Sequence, residues 1–251
     1  MGISLHGHVA LVTGSSKGLG RQIAMRLGKA GAKVVMNYYN NTSAAEVAFS
    51  DFEDVGCKGI LVQADVTDGD QIQQMVELTE EKLGSIDIVV ANATPRQPQK
   101  PIQDYDWDFY QSMIDFFIKS PFLLAQSTLP YMKSKKWGRI INIGSEVFQR
   151  SVGNFSAYVA AKGGQVGWTR SMATELAPFG ITVNILAPGW IPVERHQNDP
   201  QSTKDAYLAT VPMQRWGVPD DVANATLYFA SEESAFVTGQ TLCVNGGLTP
   251  W

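Results

Sequence analysis

The stretch TGSSKGLG, residues Thr13–Gly20, follows a short apolar run and opens a segment with helical spacing. Its glycines, Gly14, Gly18 and Gly20, allow the backbone to turn tightly and to approach a phosphate, whose charge the amino terminus of the following helix stabilises. The spacing differs from the usual dinucleotide fingerprint, and no Lys-Ser or Lys-Thr pair ends it as in a Walker A loop. We interpret it as the phosphate-binding turn of a strand–helix–strand unit, with a plain glycine-rich turn as the alternative.

Short apolar runs alternate with segments of helical spacing along the rest of the chain. The runs that predict strands are His8–Thr13, Lys33–Tyr38, Gly59–Gln63, Ile86–Ala91, Arg139–Ile143, Ile181–Ala187 and Thr241–Val244. The segments that predict helices are Gly18–Ala30, Ser43–Val55, one that Thr67 or Asp68 caps and Gly84 closes, Trp107–Met132 with a kink or break at Pro121, Ser156–Leu176 and Asp220–Ala230. Helices between continuously apolar strands predict an α/β fold, a doubly wound Rossmann-type parallel sheet with helices on both faces, in a single domain over residues 1–251.

The composition excludes several classes of protein. Hydrophobic residues make up 44% of the 251 residues and the formal net charge is −4, too apolar and too weakly charged for a disordered chain. The slight acidity offers no basic field to nucleic acid or to an anionic membrane, and the apolar runs are shorter than a membrane span. Cys57 and Cys243 lie far apart without zinc-ligand spacing, which favours two reduced thiols and no metal. We expect a cytoplasmic protein without nucleic-acid or membrane partners.

The end of the second strand bears on the choice of cofactor. A carboxylate there would accept hydrogen bonds from an adenosine ribose and repel a 2′-phosphate, but the segment Asn37–Asn41 holds no acid, and the next one is Glu46. Lys17 in the glycine turn offers a cation, although a solvated lysine is the alternative. Asp65, after the third strand, is a candidate acceptor for an adenine amino group or, alternatively, a turn residue. These features favour NADP as the cofactor, with NAD still possible.

Tyr158 and Lys162 stand four residues apart on a predicted helix, so their side chains share one face. A free tyrosine has a pKa of about 10, and lowering it by about three units takes roughly 4 kcal/mol. A neighbouring ammonium favours the phenolate, which then exchanges a proton with a carbonyl or alcohol oxygen. Ser145, at the end of the fifth strand, is placed to hydrogen-bond the same oxygen. We predict Ser145, Tyr158 and Lys162 as the catalytic residues.

Taken together, these motifs resemble the short-chain dehydrogenase/reductase family of about this length. The matching features are Thr13–Gly20, Asp65-Val66, Asn92-Ala93, Ser145, Tyr158-x-x-x-Lys162, Val183-Asn184, Pro188-Gly189 and the ending Gly239-Gln240 to Asn245-Gly246-Gly247. They follow the family's order and cover the whole chain. The resemblance implies a seven-stranded sheet, NAD(P) binding, hydride transfer at the nicotinamide, and a homotetramer, with a dimer as the alternative.

The resemblance also assigns roles to individual residues. Tyr158 becomes the acid/base, Lys162 binds the nicotinamide ribose and lowers the tyrosine pKa, and Asn92 lies near the adenosine ribose. The whole set expected at the cofactor is Gly14, Ser16, Lys17, Gly18, Leu19, Gly20, Tyr38, Asp65, Val66, Asn92, Ala93, Tyr158, Lys162, Pro188, Gly189 and Ile191.

Four positions depart from the family pattern. Thr94 replaces a glycine after Asn92-Ala93, and the acid at the end of the second strand is missing. Phe117 stands where the family carries an asparagine that relays protons from the lysine through water. Val193 stands where a threonine usually bonds the carboxamide. Phe117 and Val193 favour slower turnover, whereas the fold and nucleotide binding are unaffected by them.

Two proline-containing segments follow strands, where open α/β sheets bind ligands: residues 94–106 and 188–205. We predict a substrate lid around residues 188–210, with a plain surface loop as the alternative. The candidate substrate residues are Pro95, Arg96, Gln97, Glu146, Phe148, Gln149, Trp190, Val193 and His196, although a solvated lid histidine is the favoured interpretation of His196. Trp251 is a candidate interface residue.

Three functions remain open on these residues. The leading one is an NADP(H)-preferring oxidoreductase that interconverts a secondary alcohol and a ketone, with a small carbonyl or alcohol compound as its substrate. A catalytically impaired nucleotide-binding regulator is the second, because of Phe117. A lyase without nicotinamide is the third, and both Lys162 and the glycine turn argue against it.

Overall fold

The computed structural model describes residues 2–250, so the hypothesis about Trp251 lies outside the described residues. The strands are β1 Val9–Val12, β2 Lys33–Tyr38, β3 Lys58–Gln63, β4 Ile88–Ala91, β5 Gly138–Ile143, β6 Ile181–Pro188 and β7 Thr241–Val244. The helices are α1 Gly18–Lys29, α2 Thr42–Asp54, α3 Gly69–Lys82, α4 Trp107–Ile114, α5 Ser120–Lys135, α6 Val147–Arg150, α7 Ser156–Leu176, α8 Gln201–Leu208 and α9 Pro219–Ala230.

The seven strands form one parallel sheet in the order β3-β2-β1-β4-β5-β6-β7. The chain reverses its direction of winding between β3 and β4, so that β1 pairs with both β2 and β4. In such sheets the carboxyl ends of the strands at this switch point form the ligand crevice. The predicted α/β, doubly wound Rossmann-type fold is confirmed.

Each central strand contributes side chains to two hydrophobic cores, one on each face of the sheet. In β1, Ala10 and Val12 pack into one core with helices α1 and α9, while Val9 and Leu11 pack into the other with α3 and α5. This split follows from the two-residue period of a strand. It explains why strands covered on both faces are apolar at every position, since each fully buried aliphatic side chain contributes about 1.5–3 kcal/mol.

The segment predicted as one helix over Trp107–Met132 consists of two helices joined by a wide turn. Residues Asp115–Lys119 form a π-helical turn, in which the amide of Ser120 donates to the carbonyl of Asp115. The discontinuity thus lies before Pro121 rather than at it, because a proline fits in the first turn of a helix, where its missing N–H is not needed. The wide turn points Phe117 into the protein.

The segment after β6 carries more regular structure than a loop. Glu194–His196 forms a 3₁₀ turn, and helix α8 follows. We refer to residues 188–210 as the lid segment. No helix within residues 2–250 combines the length and the apolar character that crossing a bilayer requires.

Candidate active site

The glycine turn between β1 and α1 is held closely against β4. A Cβ on Gly20 would overlap the carbonyl of Gly14 and the side-chain amide of Asn92, and a Cβ on Gly14 would lie 2.9 Å from the Cα of Ala93. Gly18 has a φ of +57°. Glycine is therefore required here for both close approach and backbone angle. Helix α1 begins without a side-chain cap or an acid in its first turn, so its amide groups face the turn, as a pyrophosphate site needs.

Asn92 and Thr13 brace this turn. The Nδ2 atom of Asn92 donates to the carbonyls of Thr13, at 2.8 Å, and Gly14, at 3.2 Å. The hydroxyl of Thr13 accepts from the amides of Asn92 and Ala93. The side chain of Asn92 thus shapes the phosphate turn, while the ribose contact that the resemblance implies stays a prediction. Asn37 in β2 adds a third brace, because its Oδ1 accepts from the amide of Gly14.

The three predicted catalytic residues meet at the carboxyl end of β5. Ser145 lies two residues after the end of β5, and Tyr158 and Lys162 occupy successive turns of α7. The Tyr158 ring centre lies 5.6 Å from the Lys162 Nζ atom. Burial raises the pKa of Tyr158, against the opposite effects of the Ser145 hydroxyl and the Arg195 guanidinium. The geometry brings an alcohol, a phenol and an amine to one place.

Lys162 is almost fully buried, with 2% of its surface exposed. Its Nζ atom donates to the carbonyl of Ile143, at 2.7 Å, and to Oε1 of Gln165, at 3.0 Å. The ring centre of Phe117 lies 3.6 Å from the same atom. Burial first, and then the nearby Arg195, lower the pKa of this amine well below its ordinary value. Phe117 thus occupies the space beside the lysine, as its alignment with the family asparagine predicts.

Aromatic side chains wall the site on the α4 side. Phe117 meets Tyr158 edge to face with ring centres 5.3 Å apart, and Phe155 lies 4.9 Å from Tyr158. The hydroxyl of Tyr110 bonds that of Ser156 at 2.6 Å and ties α4 to the start of α7. These rings keep water from the phenol, which strengthens electrostatic interactions there.

The lid segment contacts the glycine turn and faces the phenol. Val193 lies beside Gly18, where a Cβ would come within 3.5 Å of its Cγ2. The Nδ1 atom of His196 accepts from the amide of Val193 at 3.1 Å. Burial, reinforced by Arg195, lowers the pKa of His196 to about 4. His196 is therefore neutral and braces the lid segment, so the favoured interpretation of a solvated histidine needs correction, while its contact with substrate stays a prediction.

Arg195 is a candidate that the sequence reasoning missed. Its Nε atom lies 3.1 Å from Nε2 of His196. A neutral imidazole accepts at one nitrogen only, and the Val193 amide already takes Nδ1, so Nε2 carries the hydrogen and offers nothing to the guanidinium. Arg195 lowers the pKa of both Tyr158 and Lys162, which indicates that its charge acts on the site.

Glu146 also needs correction as a substrate contact. It is 3% exposed, and both of its carboxylate oxygens have protein partners. Oε1 accepts from Arg150 and from the hydroxyl of Tyr207, each at 2.9 Å, and Oε2 accepts from Asn245 at 3.0 Å. The carboxylate ties the end of β5 to the lid and to the segment after β7, behind the pocket. Neither Tyr207 nor Asn245 was among the predicted site residues.

The other predicted substrate residues divide by position. Pro95 and Arg96 lie on the loop after β4, Phe148 lies in helix α6, and both Arg96 and Phe148 are exposed. Trp190 packs edge to face against His196, Tyr207 and Trp216, with ring centres 5.4–5.8 Å apart. Gln97 on the loop after β4 and Gln149 in α6 are partly buried. Through these ring contacts Trp190 therefore stabilises the lid segment to which it belongs.

On the adenosine side of the crevice, a shallow depression lies between the glycine turn and α2. Its lining includes Ser16, Lys17, Arg21, Asn41, Ser43 and, from the lid, Glu194. Lys17 is exposed, while Arg21 pairs with Asp51. Tyr38 at the end of β2 and Val66 after β3 are buried. Oδ1 of Asp65 accepts from the amide and hydroxyl of Thr67, which makes it a turn residue at this oxygen.

A family model described as enoyl-(acyl carrier protein) reductase matches residues 14–249. The chain is similar to the 3-oxoacyl-[acyl-carrier-protein] reductase FabG of Staphylococcus epidermidis, with 36% identity over 241 residues that cover 95% of this chain and 98% of the relative.

Two solved structures resemble the chain over nearly its full length. A putative gluconate dehydrogenase from Agrobacterium tumefaciens has a TM-score of 0.93 and 32% identity, covering 99% of this chain and 98% of its own. A gluconate 5-dehydrogenase from Burkholderia cenocepacia, in complex with NADP and tartrate, has a TM-score of 0.91 and 33% identity, covering 98% and 96%. These TM-scores show that both share the overall fold of this chain.

Proposed function

The chain belongs to the short-chain dehydrogenase/reductase family of NAD(P)-dependent oxidoreductases, and on this premise we propose that it interconverts a secondary alcohol and a ketone with NADP(H) as the preferred cofactor. The observation that carries the proposal is the meeting of Ser145, Tyr158 and Lys162 at the carboxyl end of β5, beside the glycine turn. The nucleotide, when bound, supplies or accepts the hydride.

The side chains divide the remaining work. Ser145 donates a hydrogen bond to the substrate oxygen and holds it near the phenol. Tyr158 gives a proton to that oxygen in ketone reduction and takes it back in alcohol oxidation. As an ammonium, Lys162 favours the phenolate of Tyr158 over the neutral phenol.

NADP rather than NAD is supported by the charges around the depression at α2. Lys17 and Arg21 line it, and the end of β2 carries no carboxylate that would repel a 2′-phosphate. Glu194 is the one acid among the lining residues of that depression, and it belongs to the lid. The gluconate 5-dehydrogenase relative is described with NADP bound.

For the substrate we propose a hydroxylated compound that carries a carboxylate. Arg195 supports this choice, because its guanidinium lacks an acceptor on His196 and its charge acts on Tyr158. The names of the two structural relatives point to gluconate, while the FabG relative points to 3-oxoacyl thioesters. We further propose that residues 188–210 act as the lid over this substrate, and that the protein forms a homotetramer.

The test is a substrate panel followed at the nicotinamide absorbance. Gluconate, a neutral polyol and an acetoacetyl thioester are each assayed with NADP(H) and NAD(H), and sedimentation gives the mass of the assembly. We expect turnover of gluconate with NADP⁺ and a raised KM for it in Arg195→Gln. The matched control Arg170→Gln replaces an exposed arginine of α7. Tight NADPH binding without transfer on any compound would favour the impaired regulator.

A further inference from the structure

The coordination of Lys162 differs from what the family pattern implies. Where the family places an asparagine, this chain has Phe117, whose ring offers the ammonium a face but no lone pair. Among the described residues, the polar atoms bonded to Nζ are the carbonyl oxygen of Ile143 and Oε1 of Gln165. An amide oxygen is therefore still present beside Lys162, but it is supplied by Gln165 of α7.

Gln165 is built into the site. It lies three residues after Lys162 on the same face of α7, and only 1% of its surface is exposed. Burying an amide costs free energy unless it is hydrogen-bonded, and a hydrogen bond to a charged group is worth about 1.5–3 kcal/mol. Its Oε1 atom, 3.0 Å from Nζ, accepts a hydrogen bond from Lys162.

We propose that Gln165 is a positioning residue that replaces the missing asparagine: its amide oxygen holds the Lys162 ammonium, while the Phe117 ring closes the space through which water would otherwise reach it. The two residues act as a pair, one supplying the oxygen and the other excluding solvent. No bond is made or broken at Gln165, and its effect reaches the substrate only through Lys162 and Tyr158. The inference rests on the proposed function, because it assumes that Tyr158 titrates under the influence of Lys162.

Few charged or titratable groups surround the ammonium of Lys162 among the described residues. On α7 the ionisable neighbour of Lys162 is Tyr158, and from the lid Arg195 acts on both residues. The other elements packed around the ammonium contribute Ile143 and Phe117, which carry no titratable group. A change in how tightly the ammonium is held therefore shows directly in the ionisation of the phenol.

The experiment is an ultraviolet titration of tyrosinate in the full-length protein saturated with NADP⁺. Subtracting the curve of Tyr158→Phe isolates the ionisation of Tyr158. In Gln165→Leu the ammonium loses an acceptor, so we expect the tyrosinate to form about one pH unit higher than in the wild type. Gln165→Met is titrated alongside, as a second variant of similar volume.

The matched control is Thr169→Val, which removes another buried polar group of α7, one that bonds Asn142 rather than the lysine. It should leave the titration unchanged. Adding Phe117→Asn to Gln165→Leu returns an amide to the lysine from the opposite side, and we expect at least half of the shift to be recovered. A purely structural role for Gln165 predicts no such recovery.

The outcomes separate the two proposals. If the wild-type curve contains no ionisation that Tyr158→Phe removes, the proposed acid/base role of Tyr158 fails. The assignment of Gln165 is wrong if that ionisation is present but occurs at the wild-type pH in both Gln165→Leu and Gln165→Met. It is also wrong if Thr169→Val shifts the ionisation as far as the Gln165 variants do. Because the readout needs NADP⁺ alone, neither result depends on knowing the substrate.

Discussion

The hydroxyl of Tyr207 in the lid helix α8 donates to a carboxylate oxygen of Glu146 at 2.9 Å, across 61 residues of sequence. The same hydroxyl accepts from the amide of Trp190 at 2.7 Å. Burial raises the pKa of Tyr207, which keeps this hydroxyl protonated and able to donate. One phenol thus fastens both ends of the lid segment to the loop that carries Ser145.

Replacing this phenol should loosen the lid. Tyr207→Phe leaves the Trp190 amide without its acceptor and Glu146 with one donor fewer, at a cost of about 1–3 kcal/mol in the free energy of unfolding. We expect the substrate KM to rise while the Kd of NADPH changes less than about threefold. Tyr228→Phe on α9 is the control in both measurements. A raised Kd of NADPH with an unchanged KM would contradict this assignment.

On the proposal that residues 188–210 act as a lid, the neutral His196 makes closure of that lid sensitive to acid. Burial lowers the pKa of His196 to about 4 in this structure, whereas an imidazole in water has a pKa near 6.5, so an open form would bind a proton first. Closure is therefore unaffected above pH 6.5 and becomes weaker as the pH falls from 6.5 towards 4. The neighbouring charges are Arg195, Asp199 and Lys204.

We expect the wild-type KM to rise across this range, measured against enzyme whose fold is verified at each pH. In His196→Gln, which keeps an acceptor for the Val193 amide but does not titrate, the rise should be absent. The same rise in both proteins would assign the acid effect to another group.

Lys17 provides a test of cofactor preference. It is exposed beside the glycine turn, and a hydrogen bond between an ammonium and a phosphate is among the stronger ones in proteins. We expect Lys17→Gln to raise the Kd of NADPH about five- to tenfold and to leave that of NADH within about twofold. Lys58→Gln, at the exposed start of β3, is the control. Equal losses for both cofactors would place Lys17 away from the 2′-phosphate.

Tyr158→Phe removes the proton that the proposed reaction needs. We expect turnover to fall by at least about a thousandfold, since general acid–base catalysis contributes about 10²–10⁴-fold and the phenol also orients the substrate. The Kd of NADPH should stay within a few-fold, because the glycine turn is unchanged. Turnover retained in this variant, measured after its NADPH affinity is verified, would remove Tyr158 from the chemistry.

Phe117→Asn restores the family residue beside the lysine. The ring fills a buried position against Tyr158, so its loss should lower the free energy of unfolding by about 3 kcal/mol. Turnover per folded molecule should be preserved or raised, because the asparagine returns an acceptor and a water route to Lys162. A folded variant that binds NADPH but no longer turns over would show that the ring has a catalytic task of its own.

Much of the fold was predictable because the strands are short, mostly apolar runs and helices such as α1 and α3 bury one apolar face. Helix α7 has the predicted bounds, Ser156–Leu176, and Asp68 caps α3 through the amides of Asp70 and Gln71. The wide turn before Pro121 was not predictable, because a π turn inserts a residue without altering the apolar character of the segment. Helix α8 was missed because none of its residues is buried.

The candidate site likewise has features that the sequence predicts and features that it does not. The meeting of Tyr158, Lys162 and Ser145 was predictable because their chemistry and spacing are local in sequence. Two of the three partners of Glu146, Tyr207 and Asn245, lie 61 and 99 positions away, so their hydrogen bonds exist only in the folded chain. Gln165 was within reach of the sequence, three positions from Lys162, but nothing indicated that a glutamine there faces the amine rather than solvent.

The wide turn at Asp115–Lys119 divides the wall of the active site into two pieces with separate duties. Helix α5 packs into the core under the sheet, through Leu124, Ala125 and Met132. Helix α4 and the wide turn pack instead into a small aromatic cluster with α7, through Met113 and Phe117. A substitution among the rings of the front piece therefore changes the wall beside Tyr158 while leaving the packing of α5 under the sheet in place.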